Sequence, residues 1–130
     1  MVVPLVWARI STALTLPETE APAGGYPFYL EYQPWHYQSW FTKEWVTEVS
    51  PNCRHAASRG YAGINYDCSA VAQDNRSTTG AFYTLYPHRP KDQNSRNGTL
   101  LAWAWGVSKI IDAMERGAAA ELGINAEYSL

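Results

Sequence analysis

One stretch limits the possible folds more than any other: Leu100 to Met114, Leu-Leu-Ala-Trp-Ala-Trp-Gly-Val-Ser-Lys-Ile-Ile-Asp-Ala-Met. Large or apolar residues recur at Leu100, Trp103, Ala104, Val107, Ile110, Ile111 and Met114. That three-and-four spacing predicts a helix with one inward face. Polar residues gather late, at Ser108, Lys109, Asp112, Glu115 and Arg116, and on the other side. The first half carries two Trp and no charge, so it is expected to be buried nearly all round, as in a helix packed on a sheet within a larger domain. Thr99 reads as its N-cap, and Gly117 loosens its far end.

A helix of that kind needs a sheet, and the chain before it supplies strands. Ile10 to Leu16, rich in Ile, Leu and Thr, reads as a strand ended by Pro17. Glu18 to Gly25 is a turn segment, and Tyr26 to Tyr32 reads as a buried strand. Gln33 to Gln38 is expected to be a loop, and Trp40 to Val49 helical or irregular. Ser50-Pro51 is a helix start, an N-cap followed by Pro at the first helical position. That helix runs to about Ser58 and closes at Gly60. Tyr61 to Tyr66 follows as a short buried strand. Helix, glycine, strand is the rhythm of a parallel α/β sheet. Asp67 to Gly98 is a long polar segment, with Ala81 to Tyr86 a short element inside it. Ile124 to Leu130 starts another strand.

Bulk properties exclude several classes. With 130 residues, 46% hydrophobic and 17% charged, the chain suits one globular domain. A net charge of -2 does not provide the clustered basic face of a nucleic-acid binder. No apolar run is long enough for a membrane span, and the start lacks the pattern of a signal peptide. Cys53 and Cys68 are too few for a disulfide framework and read as free, half-buried thiols. Six Trp and nine Tyr suit either an aromatic core or a sugar-binding surface.

The residues themselves yield no complete catalytic set. Gly106-Val107-Ser108-Lys109-Ile110 is the nearest approach to a Gly-x-Ser-x-Gly nucleophile elbow. It lacks the second glycine and lies inside a helix, where a hydroxyl cannot be lifted out at a strand-to-helix corner, so Ser108 is structural. His55 reads as solvated, and His36 and His88 as surface or structural residues in loops. Asp67, Asp74 and Asp92 share the long segment, but nothing selects a pair of them. Cys53-x-His55 has the wrong spacing for zinc. No metal site, phosphate loop or dinucleotide motif is found, so no cofactor is expected. Asn75-Arg76-Ser77 and Asn97-Gly98-Thr99 match the glycosylation acceptor pattern.

The Trp helix carries more than periodicity. Ala102-Trp103-Ala104-Trp105-Gly106-Val107-Ser108-Lys109-Ile110-Ile111-Asp112-Ala113-Met114-Glu115 resembles a signature of glucuronoyl esterases, the fifteenth carbohydrate-esterase family. Val71 to Asn75, Gly80 to Tyr86 and Arg59 to Ala62 are similar to the family's preceding segments. The resemblance is good from about Arg59 to Met114. It implies an α/β class: an α/β-hydrolase fold, here incomplete, with a mainly parallel sheet and an antiparallel N-terminal strand. Residues 1–130 would be the N-terminal part of one such domain, cut short at the C-terminus, with truncation at the N-terminus an open alternative.

The family's activity is a serine, histidine and acid triad cleaving glucuronate esters that link xylan to lignin alcohols. Its nucleophile motif Gly-x-Ser-Arg-x-Gly-Lys follows the next strand, so the serine, acid and histidine are all expected downstream of Leu130. No catalytic residue is assigned within the chain. The loop from Gln33 to His36 stands where such folds donate an oxyanion N–H. Pro34 has none to give, which leaves Trp35 as the oxyanion-loop candidate. The intact enzyme's partner would be a glucuronoxylan ester, and members are often secreted. Alternatives are an acetyl or other acyl esterase on the same scaffold, or a non-catalytic, aromatic-rich polysaccharide-binding domain.

Overall fold

The computed structural model describes residues 12–32, 36–38, 45–47, 50–89, 91 and 97–129. The strands are β1 (Thr12–Thr15), β2 (Tyr26–Tyr32), β3 (His36–Gln38), β4 (Trp45–Thr47), β5 (Ala62–Tyr66) and β6 (Ile124–Ser129). The helices are α1 (Pro51–Ser58), α2 (Cys68–Val71), α3 (Ala81–Leu85), α4 (Thr99–Ala113) and α5 (Ala119–Leu122), with a π-helical turn (Met114–Ala118) between the last two.

Four strands form one sheet in the order β1-β5-β2-β6. β5 and β6 both run parallel to β2, and β1 lies antiparallel on β5, with Thr12 opposite Tyr66 and Thr15 opposite Gly63. This is the mainly parallel sheet with an antiparallel first strand that the resemblance implies. β5 is buried at all five positions, as expected of a strand covered on both faces. Its neighbour β2 keeps the predicted bounds Tyr26–Tyr32 and buries Tyr26 and Phe28.

Each face of β5 is approached through a glycine. On one side Gly63 meets α1 so closely that a Cβ there would lie 2.7 Å from the Cβ and carbonyl oxygen of Cys53. On the other, a Cβ at Gly106 of α4 would lie 2.8 Å from the Tyr66 hydroxyl oxygen. α1 begins as its sequence predicts. Ser50 is the N-cap, its Oγ accepting from the Asn52 and Cys53 amides at 3.1 and 3.5 Å, with Pro51 in the first position. It ends with Gly60 at φ +87° and with bonds from Gly60 N to Ala57 O and Tyr61 N to Ala56 O.

The inward face of α4 differs from expectation. Ala102, Gly106 and Ile110 are buried, continuing to Met114, whereas Leu100 is 70% and Leu101 54% exposed. Ala104 is exposed as well. The helix is not buried all round: Ile110 and Met114 face inward as expected, but in its first half the small residues Ala102 and Gly106 lie against the sheet, with Trp103 and Val107 only half-buried. The physical reason is the Tyr66 ring, which takes the space a larger α4 side chain would need. The cap differs too: Gly98 is the N-cap and Thr99 the first helical residue, whose Oγ1 donates to the Gln73 carbonyl at 3.4 Å.

Other elements also correct the sequence reading. Residues 36–38 and 45–47, read as loop and as helical or irregular, are the antiparallel strands β3 and β4 of a separate two-stranded sheet. The long segment after β5 contains α3 where a short element was expected at Ala81 to Tyr86, and a further short helix, α2, that was not. Beyond α4, Gly117 at φ +123° breaks the helical path, and Gly123 at φ +70° caps α5 before β6. The Tyr26 amide then bonds the Gly123 carbonyl at 2.9 Å, tying the start of β2 to the start of β6.

Candidate active-site edge

Because β5, β2 and β6 are parallel, their carboxyl ends lie on one edge of the sheet, the place where ligands meet open α/β sheets. On the α4 side this edge is braced by aromatic rings. Tyr32 and Tyr66, last residues of their strands, are paired in register with ring centroids 6.1 Å apart. Tyr32 also packs on Trp103, centroids 5.6 Å apart. The Tyr66 hydroxyl donates to the Trp103 carbonyl, and Trp103 Nε1 donates to the Ala72 carbonyl at 2.9 Å. Burial pushes the Tyr66 phenol well above its ordinary pKa, so it is a fixed donor and not a proton shuttle.

At the end of β5, Asp67 is used up by capping α2. Its Oδ1 accepts from the Ser69 amide at 3.0 Å and from the Ser69 hydroxyl. Cys68, free and 1% exposed, is pushed up to about 11 by burial and then by the Asp67 charge, which makes it an inert thiol.

The α1 side of the same edge is polar. Glu31, on β2, accepts from Tyr29 Oη at 2.7 Å and from Asn52 Nδ2 at 3.1 Å through Oε2. Its Oε1 stands 3.8 Å from Cys53 Sγ. Burial alone would raise the Glu31 pKa, but bonds from Ser50, Tyr29, Asn52 and Cys53 outweigh it and hold the carboxyl below its usual value. Burial, the Glu31 bond and the Glu31 charge push Tyr29 up to about 12. Burial and the Glu31 charge put Cys53 at about 11. Asn65, the register partner of Glu31 on β5, is fully buried, and among the described residues neither its amide nitrogen nor its oxygen has a hydrogen-bond partner.

The residues weighed from the sequence fall as follows. Trp35, the oxyanion-loop candidate, lies outside the described residues, as do Asp92 and Leu130. His36 is in β3, and its side chain is outside the description. His55 is exposed on α1, and His88 is half-buried. Ser108 is exposed in mid-α4 and donates back to the Ala104 carbonyl at 3.2 Å, the structural role expected of it. Asp74 is exposed, and Asp67 serves α2. Among the described residues no three His, Cys, Asp or Glu side chains are grouped to hold a metal. Glu31 and Asn65 were not singled out in the sequence. A carboxylate interrupting the aromatic strand Tyr-Pro-Phe-Tyr-Leu-Glu-Tyr was the available signal for Glu31.

Residues 11–128 match the family described as "Glucuronyl esterase, fungi". The chain belongs to the glucuronyl esterase family. It is 46% identical over 81 residues to a "Multidomain esterase" of Ruminococcus flavefaciens, covering 58% of this chain and 10% of that protein. It is 30% identical over 115 residues to "4-O-methyl-glucuronoyl methylesterase 1" of Wolfiporia cocos, covering 86% of this chain and 22% of that one. A solved glucuronoyl esterase of carbohydrate esterase family 15, from Caldicellulosiruptor kristjansonii, superposes with a TM-score of 0.70 at 38% identity. That alignment covers 94% of this chain and 30% of the solved one. The sheet and its helices are accordingly part of an α/β-hydrolase fold, and the chain spans about a tenth to a third of these family members.

Proposed function

We propose that the chain is the N-terminal scaffold of a serine-type carboxylic ester hydrolase acting on 4-O-methyl-glucuronoyl esters of xylan. The observation that carries this reading is the family match over residues 11–128, which takes in all three parallel strands and the braced carboxyl edge. In an α/β hydrolase that edge receives the ester. The strand corresponding to β6 delivers the nucleophile elbow, and the loop after the strand corresponding to β2 lends an oxyanion N–H. In this reading residues 1–130 form part of one hydrolase domain, Trp35 stands in the oxyanion loop, and the serine, acid and histidine lie beyond Leu130. The aromatic brace of Tyr32, Tyr66 and Trp103 keeps the strand ends fixed, so that the oxyanion donors are in place before charge develops.

The test is to read the coding sequence beyond Leu130 in all frames and to assay benzyl glucuronate hydrolysis. The 130-residue chain is expected to be inactive, and a chain extended through Gly-x-Ser-Arg-x-Gly-Lys and the remaining domain to be active. A stop in every frame without that motif would sink the reading for this gene product. Turnover of aryl acetates in preference to glucuronate esters by the extended enzyme would replace the substrate class with small acyl esters.

A further inference from the structure

Residues 33–49 connect β2 to α1, and their described part, β3 and β4, pairs in a sheet separate from the main one. Bringing the two ends of such a segment together costs chain entropy. Glu31 stands just before the departure point. Two described side chains that bond its carboxylate stand just after the return: Asn52 Nδ2 at 3.1 Å and Cys53 Sγ at 3.8 Å. Tyr29, from β2 itself, also donates to Oε2, at 2.7 Å. The same return point is stiffened by the Ser50 cap on α1 and by the packing of Cys53 on Gly63.

We propose that Glu31 is a positioning residue, a clamp that joins the two ends of the 33–49 excursion and so sets where the chain leaves β2 and where it enters α1. An acidic side chain suits this task. A carboxylate accepts from several donors at once, and bonds to a charged acceptor are the strong ones. Asn52 reaches it from the N-terminal end of α1, where a negative charge is favoured. Only the use of the clamp rests on the esterase reading, in which the excursion includes the oxyanion-loop candidate Trp35. The clamp itself rests on hydrogen-bond geometry and stands or falls without any activity.

The experiment is amide hydrogen exchange on the 130-residue chain, read by peptide mass spectrometry. Glu31→Ala is expected to speed exchange about tenfold in peptides covering residues 33–53, the loss of charge-assisted bonds being local. Peptides from β5 and α4 are expected to keep wild-type rates. Glu31→Gln keeps one acceptor oxygen at the same reach but no charge, and is expected to restore part of the lost protection. Tyr29→Phe and Asn52→Ala each remove one bond and are expected to give smaller effects in the same peptides. Wild-type exchange in residues 33–53 of Glu31→Ala overturns the clamp, as does a uniform speeding of all peptides. If Glu31→Ala does not fold, the Tyr29 and Asn52 variants decide, and no local effect in either overturns it.

Discussion

The two faces of the central strands are built from different chemistry. Towards α4, β2 and β5 present Phe28, Ala62, Ile64 and Tyr66 to Ala102, Ile110 and Met114, an apolar interior whose contacts are shape and area. Towards α1 the same strands present Tyr29, Glu31, Gly63 and Asn65 to Ser50, Asn52 and Cys53, where hydrogen bonds and one charge set the geometry. The difference follows from what each helix must do. α4 only has to cover the sheet, so burial and packing suffice. α1 has to start at one point after a long excursion, and apolar contact is non-directional, so directional bonds fix it.

Four measurements would break or sharpen this contrast. The largest effect is expected at Phe28, 1% exposed: Phe28→Ala should lower unfolding free energy in urea by about 3–5 kcal/mol. A loss below about 1 kcal/mol would show that the α4 face is not the main source of burial. Next is Gly63→Ala, whose Cβ would meet the Cys53 backbone at 2.7 Å and push α1 off β5. Overpacking there should cost about 1–3 kcal/mol, with near-ultraviolet spectra of the α4-side aromatics unchanged.

Acid should act on one face only. Glu31 is held below its unfolded value, so its contribution is present above the ordinary carboxylate pKa and is lost as pH falls through the folded one. Tyr29, raised to about 12, contributes below pH 10, and that contribution is lost as pH rises through 12. Glu31→Gln should flatten the acid limb of a stability-against-pH curve, and an unchanged limb would remove Glu31 as its source. The smallest effect is expected at Asn65. Since its buried amide has no partner among the described residues, Asn65→Leu should be neutral or stabilising by about 1 kcal/mol in thermal unfolding. A clear loss would show that Asn65 has a bonded role in solution.

Local signals in the sequence were strong where one residue type has one job. Ser50-Pro51 marked the start of α1, Gly60 its end, and the aromatic run Tyr26 to Tyr32 kept its bounds as β2. Helix, glycine, strand announced the parallel sheet, and the Trp motif announced the family. The signals failed where a choice depends on a distant partner. Strands β3 and β4 are short and define each other only by pairing. α2 is a four-residue helix started by the Asp67 side chain, too brief for periodicity to register.

The Trp helix shows the division most clearly. Its period, length and family likeness were properties of the sequence alone, because a 3.6-residue repeat and a motif are both local. Which stripe would face inward was a tertiary decision. Tyr66, from a strand more than thirty residues earlier, fills the space beside Gly106, and Leu100 and Leu101 lie outside. Likewise the sequence supplied Glu31 as a lone acid in an aromatic strand. Only the fold brought Asn52 and Cys53 to it, across residues 33–49. Periodicity ranks the stripes of a helix by hydrophobicity, but close packing chooses among them by volume, and volume is set by the partner.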